Sequence, residues 1–263
     1  METEIERVPV LRLTEGNRSS LEDIVAREFP LTVILNDREL VTLLCTPKDL
    51  KYLAVGFLAS EGLLTGKADI KKLVMDEVRG VARVETTVDK TSADEFFKRF
   101  ISSGCGRGAS FYSAVDVQNQ ARIESSLKVS IRDILALVAE FQHRSEVYRA
   151  TGGVHSAALC DTKSLLIFSE DIGRHNAIDK IFGQCLLEDI PTDDRIVITS
   201  GRISSEILLK VARRNVPIIV SKSAPTNLGV KLANDLGITL LGFVRGKRMN
   251  AYTHDWRIGQ DGH

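Results

Sequence analysis

The sequence predicts an α/β fold, and three observations indicate that class. Strand-like and helix-like segments alternate from Val154 to Val244, while the N-terminal part mixes strands and helices less regularly. The composition is that of a globular protein, with 43% hydrophobic and 27% charged residues. We therefore expect a smaller mixed α+β subdomain over residues 1–128 and a three-layer α/β domain over residues 129–263.

A hairpin and a helix are predicted in the N-terminal part. Leu31–Leu35 and Leu40–Cys45 flank a turn-forming Asn-Asp pair, which is typical of two antiparallel strands. A helix should follow, because Thr46 can cap its N-terminus while Pro47 occupies its first position. Apolar residues then recur at helical spacing until Gly62, which can end the helix.

The C-terminal half predicts a mostly parallel sheet covered by helices. Ser130 can cap its first helix, with Asp133 at the capping-box position. The predicted strands are Val154–Cys160, Leu165–Phe168, Ile196–Thr199, Val216–Val220 and Ile238–Val244. The predicted helices are 130–148, His175–Leu187, Ser204–Arg214 and Asn227–Leu236.

Cationic residues follow the ends of four predicted strands. They are Arg174-His175, Arg202, Lys222 and Arg245-Gly246-Lys247-Arg248. Ligands of α/β sheets usually bind at the carboxyl ends of strands, where cations and helix N-termini favour an anion. The four strand ends therefore predict a cradle for an anionic, nucleotide-like ligand, although solvation alone also makes such loops polar.

A single histidine, His155, stands at the start of a predicted strand. It can contact a ligand or relay a proton, but a strand histidine is more often a hydrogen-bonded core residue. The order of strands and helices also fits the cytidine-deaminase fold, whose zinc enzymes need His-x-Glu and Pro-Cys-x-x-Cys. His155-Ser156-Ala157 lacks the glutamate and the chain has no Pro-Cys-x-x-Cys, so we expect the fold without deamination.

The four cysteines, Cys45, Cys105, Cys160 and Cys185, are scattered along the chain. None belongs to a CxxC motif or to a Cys/His pair at metal-ligand spacing, so neither a disulfide framework nor a metal site is expected. Cys45 and Cys185 fall within apolar patterns typical of small packed hydrophobes, and Cys160 ends a strand.

Among the four cysteines, only Cys105 has neighbouring residues that favour a reactive thiol. It lies among three glycines in Ser102–Gly108 and two residues before Arg107. Glycines let a backbone approach a ligand closely, and an arginine can stabilise a thiolate and so lower the pKa of the cysteine. The segment predicts a reactive thiol, with an ordinary flexible loop as the alternative.

Charge and hydropathy argue against two classes of partner. Thirty-five basic residues balance 35 acidic ones, so nothing global favours nucleic acid or a membrane surface. Residues 1–7 are charged and lack an apolar core, and no apolar run is long enough to span a bilayer. We expect a cytoplasmic protein without nucleic-acid or membrane partners.

Several segments, in order along the chain, resemble the FdhD family of formate dehydrogenase accessory proteins, which are sulfur carriers. They cover most of the chain from the first predicted helix onward. The segments are Thr46-Pro47-x-Asp49-Leu50, Gly56-Phe57-Leu58-x-x-Glu61-Gly62, Ser103-Gly104-Cys105-Gly106, Thr151-Gly152-Gly153-x-His155-Ser156-Ala157, Asp171-x-Gly173-Arg174-His175-Asn176-Ala177-x-Asp179-Lys180, Ser200-Gly201-Arg202-x-Ser204, Ser223-Ala224-Pro225-Thr226, and Gly242-Phe243-x-Arg245-Gly246 with Asn250-x-Tyr252.

The resemblance implies a cytoplasmic, homodimeric sulfur carrier with a deaminase-like domain and an N-terminal subdomain. Such a protein accepts sulfur from a cysteine desulfurase as a cysteine persulfide. It passes that sulfur to Mo-bis(molybdopterin guanine dinucleotide) before the cofactor is inserted into formate dehydrogenase. The persulfide cysteine corresponds to Cys105. The cofactor-binding segment corresponds to Phe243, Val244, Arg245, Gly246, Lys247 and Arg248.

The chain departs from the family pattern at one position. Many members have Cys-Gly-x-Cys, whereas this chain has Cys105-Gly106-Arg107-Gly108. A mechanism that resolves the persulfide through an internal disulfide is therefore not expected, but a single thiolate can still accept and release sulfur. Two alternatives stay open: a non-catalytic chaperone that binds the mature cofactor, and a general nucleotide-binding protein.

Overall fold

The structure, a computed structural model, describes residues 3–87 and 120–259. Within these residues the strands are β1 Ile5–Thr14, β2 Asn17–Ala26, β3 Phe29–Leu35, β4 Arg38–Cys45, β5 Ile70–Asp76, β6 Val81–Thr86, β7 Val129–Ser130, β8 His155–Cys160, β9 Leu165–Asp171, β10 Ile196–Thr199, β11 Ile218–Ser221, β12 Thr239–Arg245, β13 Arg248–Thr253 and β14 Ile258–Gly259. The α-helices are α1 Leu50–Ser60, α2 Ile131–Arg144, α3 Glu146–Thr151, α4 Arg174–Leu187, α5 Ser205–Arg213 and α6 Asn227–Leu236. The mixed α/β class predicted from the sequence is confirmed.

The largest sheet has six strands in the order β13-β12-β11-β10-β8-β9. Among these described strands, β10–β11 and β11–β12 pair in parallel, and the other three neighbouring pairs are antiparallel. The expectation of a mostly parallel sheet is therefore wrong. The physical reason is that short hairpins join β8 to β9 and β12 to β13, and a hairpin reverses the strand direction that a helical crossover preserves.

Helices cover both faces of this sheet. Val197 and Ile198 are neighbours in β10, so their side chains point to opposite faces and enter different buried clusters. Val197 shares its cluster with Phe182 of α4 and Leu208 of α5, and Ile198 shares its cluster with Phe141 of α2. The layers are thus helix, sheet and helix. The likeness to cytidine deaminases stays a prediction.

The N-terminal sheet has four strands in the order β4-β3-β6-β5. The predicted hairpin is confirmed, since β3 pairs with β4 from Phe29 opposite Cys45 to Leu35 opposite Arg38. Its turn residues have φ values of 47° and 62°, the left-handed conformation that Asn and Asp tolerate best among non-glycine residues. A further buried cluster lies between this sheet and α1.

The two sheets are joined by close packing of α1 against α4. A Cβ atom at Gly56 of α1 would lie 1.7 Å from the carbonyl oxygen of Asp179, and one at Gly183 of α4 would lie 1.9 Å from that of Tyr52. Only glycine permits this approach. Leu186 of α4 is also part of the N-terminal cluster, so α4 packs against both sheets. The boundary predicted between residues 128 and 129 stays a prediction.

The predicted start of α1 is wrong. The helix begins at Leu50, and Asp49 before it adopts a left-handed conformation with φ 57° without a side-chain capping bond. Thr46 does not cap, because its hydroxyl is used in a buried polar network described below. The predicted cap of α2 is confirmed, since Ser130 Oγ accepts a hydrogen bond from the Asp133 amide at 3.0 Å.

The sequence predicted a strand over residues 5–13, which β1 confirms, but it missed β2 and β13. β2 pairs with β1 in a separate two-stranded ribbon, and β13 closes one edge of the large sheet. β2 and β13 were not predicted because they are largely polar and exposed. They therefore lack the alternation of apolar and polar residues that marks a half-buried strand. In the parts of the chain described here, we find no helix with the length and apolar character needed to cross a membrane.

Candidate functional site

Four strand ends lie along one edge of the six-stranded sheet. β9 and β10 are both antiparallel to β8, and β10, β11 and β12 are parallel to one another. All four strands therefore point the same way, and their carboxyl ends share an edge as the sequence predicted. β8 begins at that edge with His155, which lies opposite Asp171 of β9.

Four cations end or follow these strands: Arg174, Arg202, Lys222 and Arg245. None has a carboxylate of residues 3–87 or 120–259 within 4.0 Å. Arg245 Nε donates to the Lys222 carbonyl at 3.2 Å, which ties two strand ends together. Burial and the charge of Arg245 lower the pKa of Lys222. The edge therefore carries positive charge that a bound anion would stabilise.

Arg174 is held directly over the backbone that follows β10. A Cβ atom at Gly201 would lie 2.8 Å from Arg174 Cβ and 3.1 Å from its Cδ, so position 201 has no room for a larger residue. Arg174 Nε is buried and has no hydrogen-bond partner among the described residues. An unsatisfied buried donor costs about 1–3 kcal/mol, so the guanidinium favours an added acceptor. Arg174 is the strongest anion-binding candidate at this edge.

His155 lies beside Ser200 at the same edge. Its Nδ1 is 3.3 Å from Ser200 Oγ, and Ser200 Oγ also accepts a hydrogen bond from the Ser156 amide at 3.0 Å. Burial, followed by the charge of Arg174, lowers the pKa of His155, so the imidazole is neutral near pH 7. A neutral imidazole held by a serine can accept a proton or a hydrogen bond.

His175 follows Arg174 but points to a different partner. Its Nε2 lies 3.3 Å from Glu206 Oε2 of α5. Burial lowers the pKa of His175 to about 3, with further contributions from Lys210, Arg174 and His155. At neutral pH the ring is therefore uncharged, and its Nε2 lies close to the Glu206 carboxylate. The sequence predicted that Arg174 and His175 would both contribute cations to this edge. Only Arg174 does so, because His175 is uncharged at neutral pH.

The segment Phe243–Arg248 comprises the end of β12, a turn and the start of β13. Phe243 has φ 53°, lies in a β-bulge and is 38% exposed, while its amide donates to the Ser223 carbonyl at 3.1 Å. Val244 is fully buried in the core, so only its backbone can meet a ligand. Gly246 takes φ 58° in the turn, and Lys247 and Arg248 are exposed. The segment places cations beside Lys222.

Two buried ion pairs behind this edge were not identified from the sequence. In the first, Lys180 Nζ lies 2.7 Å from Asp171 Oδ2 and donates to Thr46 Oγ1 at 2.7 Å. Asp171 also accepts hydrogen bonds from the Thr46 amide at 3.1 Å and from Asn176 Nδ2 at 2.8 Å. This network fixes the start of α4 against the segment that leads into α1.

The second pair joins α4 to α5. Lys210 Nζ donates to both carboxylate oxygens of Asp179, at 2.8 and 2.7 Å, and Ser60 Oγ donates to Asp179 Oδ1 at 2.5 Å. Burial raises the pKa of Asp179, and Lys210 opposes that shift. The one signal in the sequence was the Asp179-Lys180 pair inside an otherwise apolar helix pattern, where charged residues must be paired.

Cys45 and Cys185 are packed in the interior as the sequence predicted, and Cys160, which the sequence left undecided, is buried as well. All three are free thiols. Burial raises the pKa of Cys45 and of Cys185 to about 12 and raises that of Cys160 as well, so all three are poor nucleophiles at neutral pH. Cys105 lies outside the described residues. Within those residues, no group of three or more His, Cys, Asp or Glu side chains is arranged to hold a metal ion.

Comparisons with known proteins identify the family. Residues 26–259 match the FdhD/NarQ family. The chain is 47% identical over 250 residues to the sulfur carrier protein FdhD of Bacillus subtilis, covering 95% of each chain, and 41% identical over 253 residues to that of Staphylococcus aureus strain MRSA252, again covering 95% of each. A crystal structure described as a formate dehydrogenase accessory protein from Desulfotalea psychrophila superposes with a TM-score of 0.81 at 27% identity, covering 97% of this chain and 99% of that one. The chain belongs to the FdhD/NarQ family.

Proposed function

We propose that this chain is a sulfur carrier that serves formate dehydrogenase. It accepts sulfur from a cysteine desulfurase as a persulfide on Cys105 and transfers it to Mo-bis(molybdopterin guanine dinucleotide) before the cofactor enters the enzyme. The names of the relatives support the sulfur-carrier role, and the description of the structural neighbour supports the link to formate dehydrogenase. The observation that carries the proposal is the row of cations along one sheet edge, where no carboxylate of the described residues pairs with them.

The acceptor site in this proposal is the edge formed by Arg174, Arg202, Lys222 and Phe243–Arg248. A guanine dinucleotide carries phosphate groups, and phosphates are bound in proteins by arginines, lysines and free backbone amides. Arg174 has a buried donor without a partner among the described residues, and no carboxylate of those residues competes for the four cations. Phe243 adds an exposed aromatic ring on which a planar base can stack.

The donor residue in this proposal is Cys105. Its thiolate attacks the outer sulfur of the desulfurase persulfide, the sulfur–sulfur bond breaks, and the desulfurase cysteine leaves as a thiolate. The three described thiols do not compete, because burial raises the pKa of each one. This step needs only one cysteine, so the glycine at position 108 is compatible with it.

The setting of this reaction also belongs to the proposal. We place the protein in the cytoplasm, with a cytidine-deaminase-like architecture over residues 129–263 that is used for cofactor binding rather than deamination. The sequence lacks the His-x-Glu and Pro-Cys-x-x-Cys motifs that zinc deaminases require. Residues 1–128 would then form the subdomain that presents the carrier cysteine.

Mass spectrometry of the intact protein and of its peptides tests the proposal. Wild type and Cys105→Ser are each incubated with a cysteine desulfurase and cysteine. We expect a gain of ~32 Da, one sulfur atom, on the Cys105 peptide of the wild type and no gain in the variant. The peptides of Cys45, Cys160 and Cys185 serve as internal controls that should stay unmodified. An unmodified wild type would contradict the carrier role.

A second candidate function is a non-catalytic chaperone that binds the mature cofactor and docks on the apo-enzyme. The absence of a second thiol at Gly108, together with the cationic edge, favours it. It predicts that the wild type stays unmodified by sulfur while it still binds a guanine nucleotide. Equal binding of adenine and guanine nucleotides would instead favour a general nucleotide-binding protein.

A further inference from the structure

His155 and Arg174 both contact the turn that follows β10. His155 Nδ1 is 3.3 Å from Ser200 Oγ. The side chain of Arg174 packs over Gly201, since a Cβ atom on that glycine would lie 2.8 Å from Arg174 Cβ. One of the two side chains comes from β8 and the other from α4. The turn therefore brings an imidazole and a guanidinium together at the cationic edge.

The backbone of this turn is already hydrogen-bonded. The Ser200 amide donates to the Ser156 carbonyl at 3.0 Å, and the Gly201 amide donates to Thr199 Oγ1 at 3.1 Å. The Gly201 carbonyl accepts a hydrogen bond from Ser221 Oγ at 2.7 Å. Glycine-rich anion sites use free backbone amides, and these two amides are not free. An anion beside this turn is therefore bound by side chains.

Each of the two side chains keeps one nitrogen for a ligand. Arg174 Nε is a buried donor without a hydrogen-bond partner among residues 3–87 and 120–259. In His155 the Nδ1 atom faces Ser200, and no hydrogen bond within the described part of the chain involves the Nε2 atom. Arg174 is near enough for its charge to lower the pKa of His155. A single anion can therefore contact both side chains.

The titratable and charged groups that face His155 come from β9 and α4. They are Glu170, Asp171, Arg174 and His175. Asp171 forms an ion pair with Lys180 at 2.7 Å, and Glu170 accepts hydrogen bonds from two backbone amides of α3. His175 is uncharged at neutral pH, and the turn after β10 contributes the uncharged Ser200. Among the described residues, Arg174 is therefore the one charge beside His155 that has no counter-charge.

We propose that His155 and Arg174 together bind one phosphate-type anion, and that His155 takes up a proton from solvent as this anion binds. The inference rests on the proposed function, because the anion it names is the pyrophosphate of a dinucleotide cofactor. The proton adds to the imidazole and makes it an imidazolium, and no covalent bond to the ligand forms. Arg174 is charged both before and after binding.

The contacts of His155 suit the protonated ring without rearrangement. An imidazolium donates a hydrogen bond from each of its two nitrogens. Ser200 Oγ can accept one of them from Nδ1 while it accepts the Ser156 amide at 3.0 Å, because a hydroxyl oxygen has two acceptor positions. The Nε2 atom then donates the other hydrogen bond to the anion.

The charge of the anion drives the proton uptake. Without a ligand, burial and then the charge of Arg174 lower the pKa of His155, which keeps the ring neutral at pH 7. A bound phosphate offsets the charge of Arg174 and places a negative charge beside the ring, and both changes favour the imidazolium. Binding therefore raises the pKa of His155. The bound state holds more protons than the free state, so the affinity increases as the pH falls.

Calorimetry with diguanosine pyrophosphate as the probe tests the proposal. GDP is unsuitable because its terminal phosphate titrates near about pH 6, whereas a pyrophosphate esterified at both ends does not. Titrations at pH 7 in buffers with different enthalpies of ionisation give the number of protons taken up on binding. We expect about half a proton or more for each bound ligand in the wild type, and none in His155→Gln. His143→Gln, which removes an exposed histidine of α2, is the matched control and should keep the wild-type uptake.

The dissociation constant should show the same linkage to pH. We expect the Kd of the wild type to be about five- to tenfold smaller at pH 6 than at pH 8, and the Kd of His155→Gln to be equal at both. Wild-type binding without proton uptake overturns the proposal, and this measurement needs no variant. A His155→Gln protein that takes up as many protons as the wild type overturns it as well.

The same titrations separate this inference from the proposed function. Binding of the probe without proton uptake removes only the role of His155 and leaves the acceptor site in place. Absence of any binding overturns the inference and also removes the cationic edge as the acceptor site. The carrier role of Cys105 is decided independently, by the persulfide that mass spectrometry detects.

Discussion

Substitution of Gly56 by alanine tests how tightly α1 and α4 are packed. The added Cβ atom would lie 1.7 Å from the Asp179 carbonyl oxygen and 2.9 Å from the Gly183 amide nitrogen. Ordinary contacts begin at 3.4 Å, so the helices must separate by about 1.7 Å, the difference between the two distances. The obstacle is the backbone of a second helix, which cannot rotate aside as a side chain can.

The expected cost follows from two opposing effects. Overpacking of a close contact destabilises by about 1–3 kcal/mol, and the upper end applies because backbone must move. Alanine is better than glycine inside a helix by about 1 kcal/mol, which offsets part of that cost. We expect a net loss of about 2 kcal/mol in the free energy of unfolding, or about 4–8 °C in Tm.

Urea unfolding followed by circular dichroism measures the effect of Gly56→Ala, and Gly66→Ala is the matched control. A Cβ atom at Gly66 would meet nothing within 4 Å, and the backbone there is extended with φ −159°, so alanine should change the stability by no more than about 0.5 kcal/mol. If Gly56→Ala were as stable as this control, the close helix contact would be wrong.

Three further predictions concern buried charge, pH and ligand binding. Lys210→Met should lower the free energy of unfolding at neutral pH by about 3–5 kcal/mol in urea titrations, because it leaves the buried Asp179 carboxylate without its cation; adding Asp179→Asn should restore part of the loss, and no recovery would contradict the pairing. His175 has a pKa of about 3 when folded against 6.5 when unfolded, so the unfolded state binds the extra proton and stability should fall by up to about 1.4 kcal/mol per pH unit as the pH drops through that window. His175→Gln should flatten this slope in unfolding experiments at several pH values, and an unchanged slope would refute the assignment. Arg174→Gln should weaken GDP binding about tenfold or more in calorimetry, from the loss of a charged hydrogen bond, whereas the exposed Arg132→Gln on α2 should not, and equal affinities would remove Arg174 from the site.

Local sequence patterns were sufficient to predict most of the helices and strands. Ile196–Thr199 and Asn227–Leu236 have the predicted limits, and the cap at Ser130 forms as expected. These features depend on residues adjacent in sequence, through apolar periodicity and side-chain capping. The predicted start of α1 was wrong for the opposite reason, because it depends on residues that are distant in sequence. Thr46 bonds to Asp171 and Lys180, more than a hundred residues away, and no local rule weighs such partners.

The candidate site shows the same division. Two features of the site could be predicted from adjacent residues: cations end or follow four strands, and the glycines and arginine around Cys105 favour a reactive thiol. Three others emerged from the fold: the four strand ends share one edge of a mixed sheet, Arg174 lies over Gly201, and His175 faces Glu206. Strand direction and side-chain partners are set by long-range pairing and by the cost of burying charge, which adjacent residues do not encode.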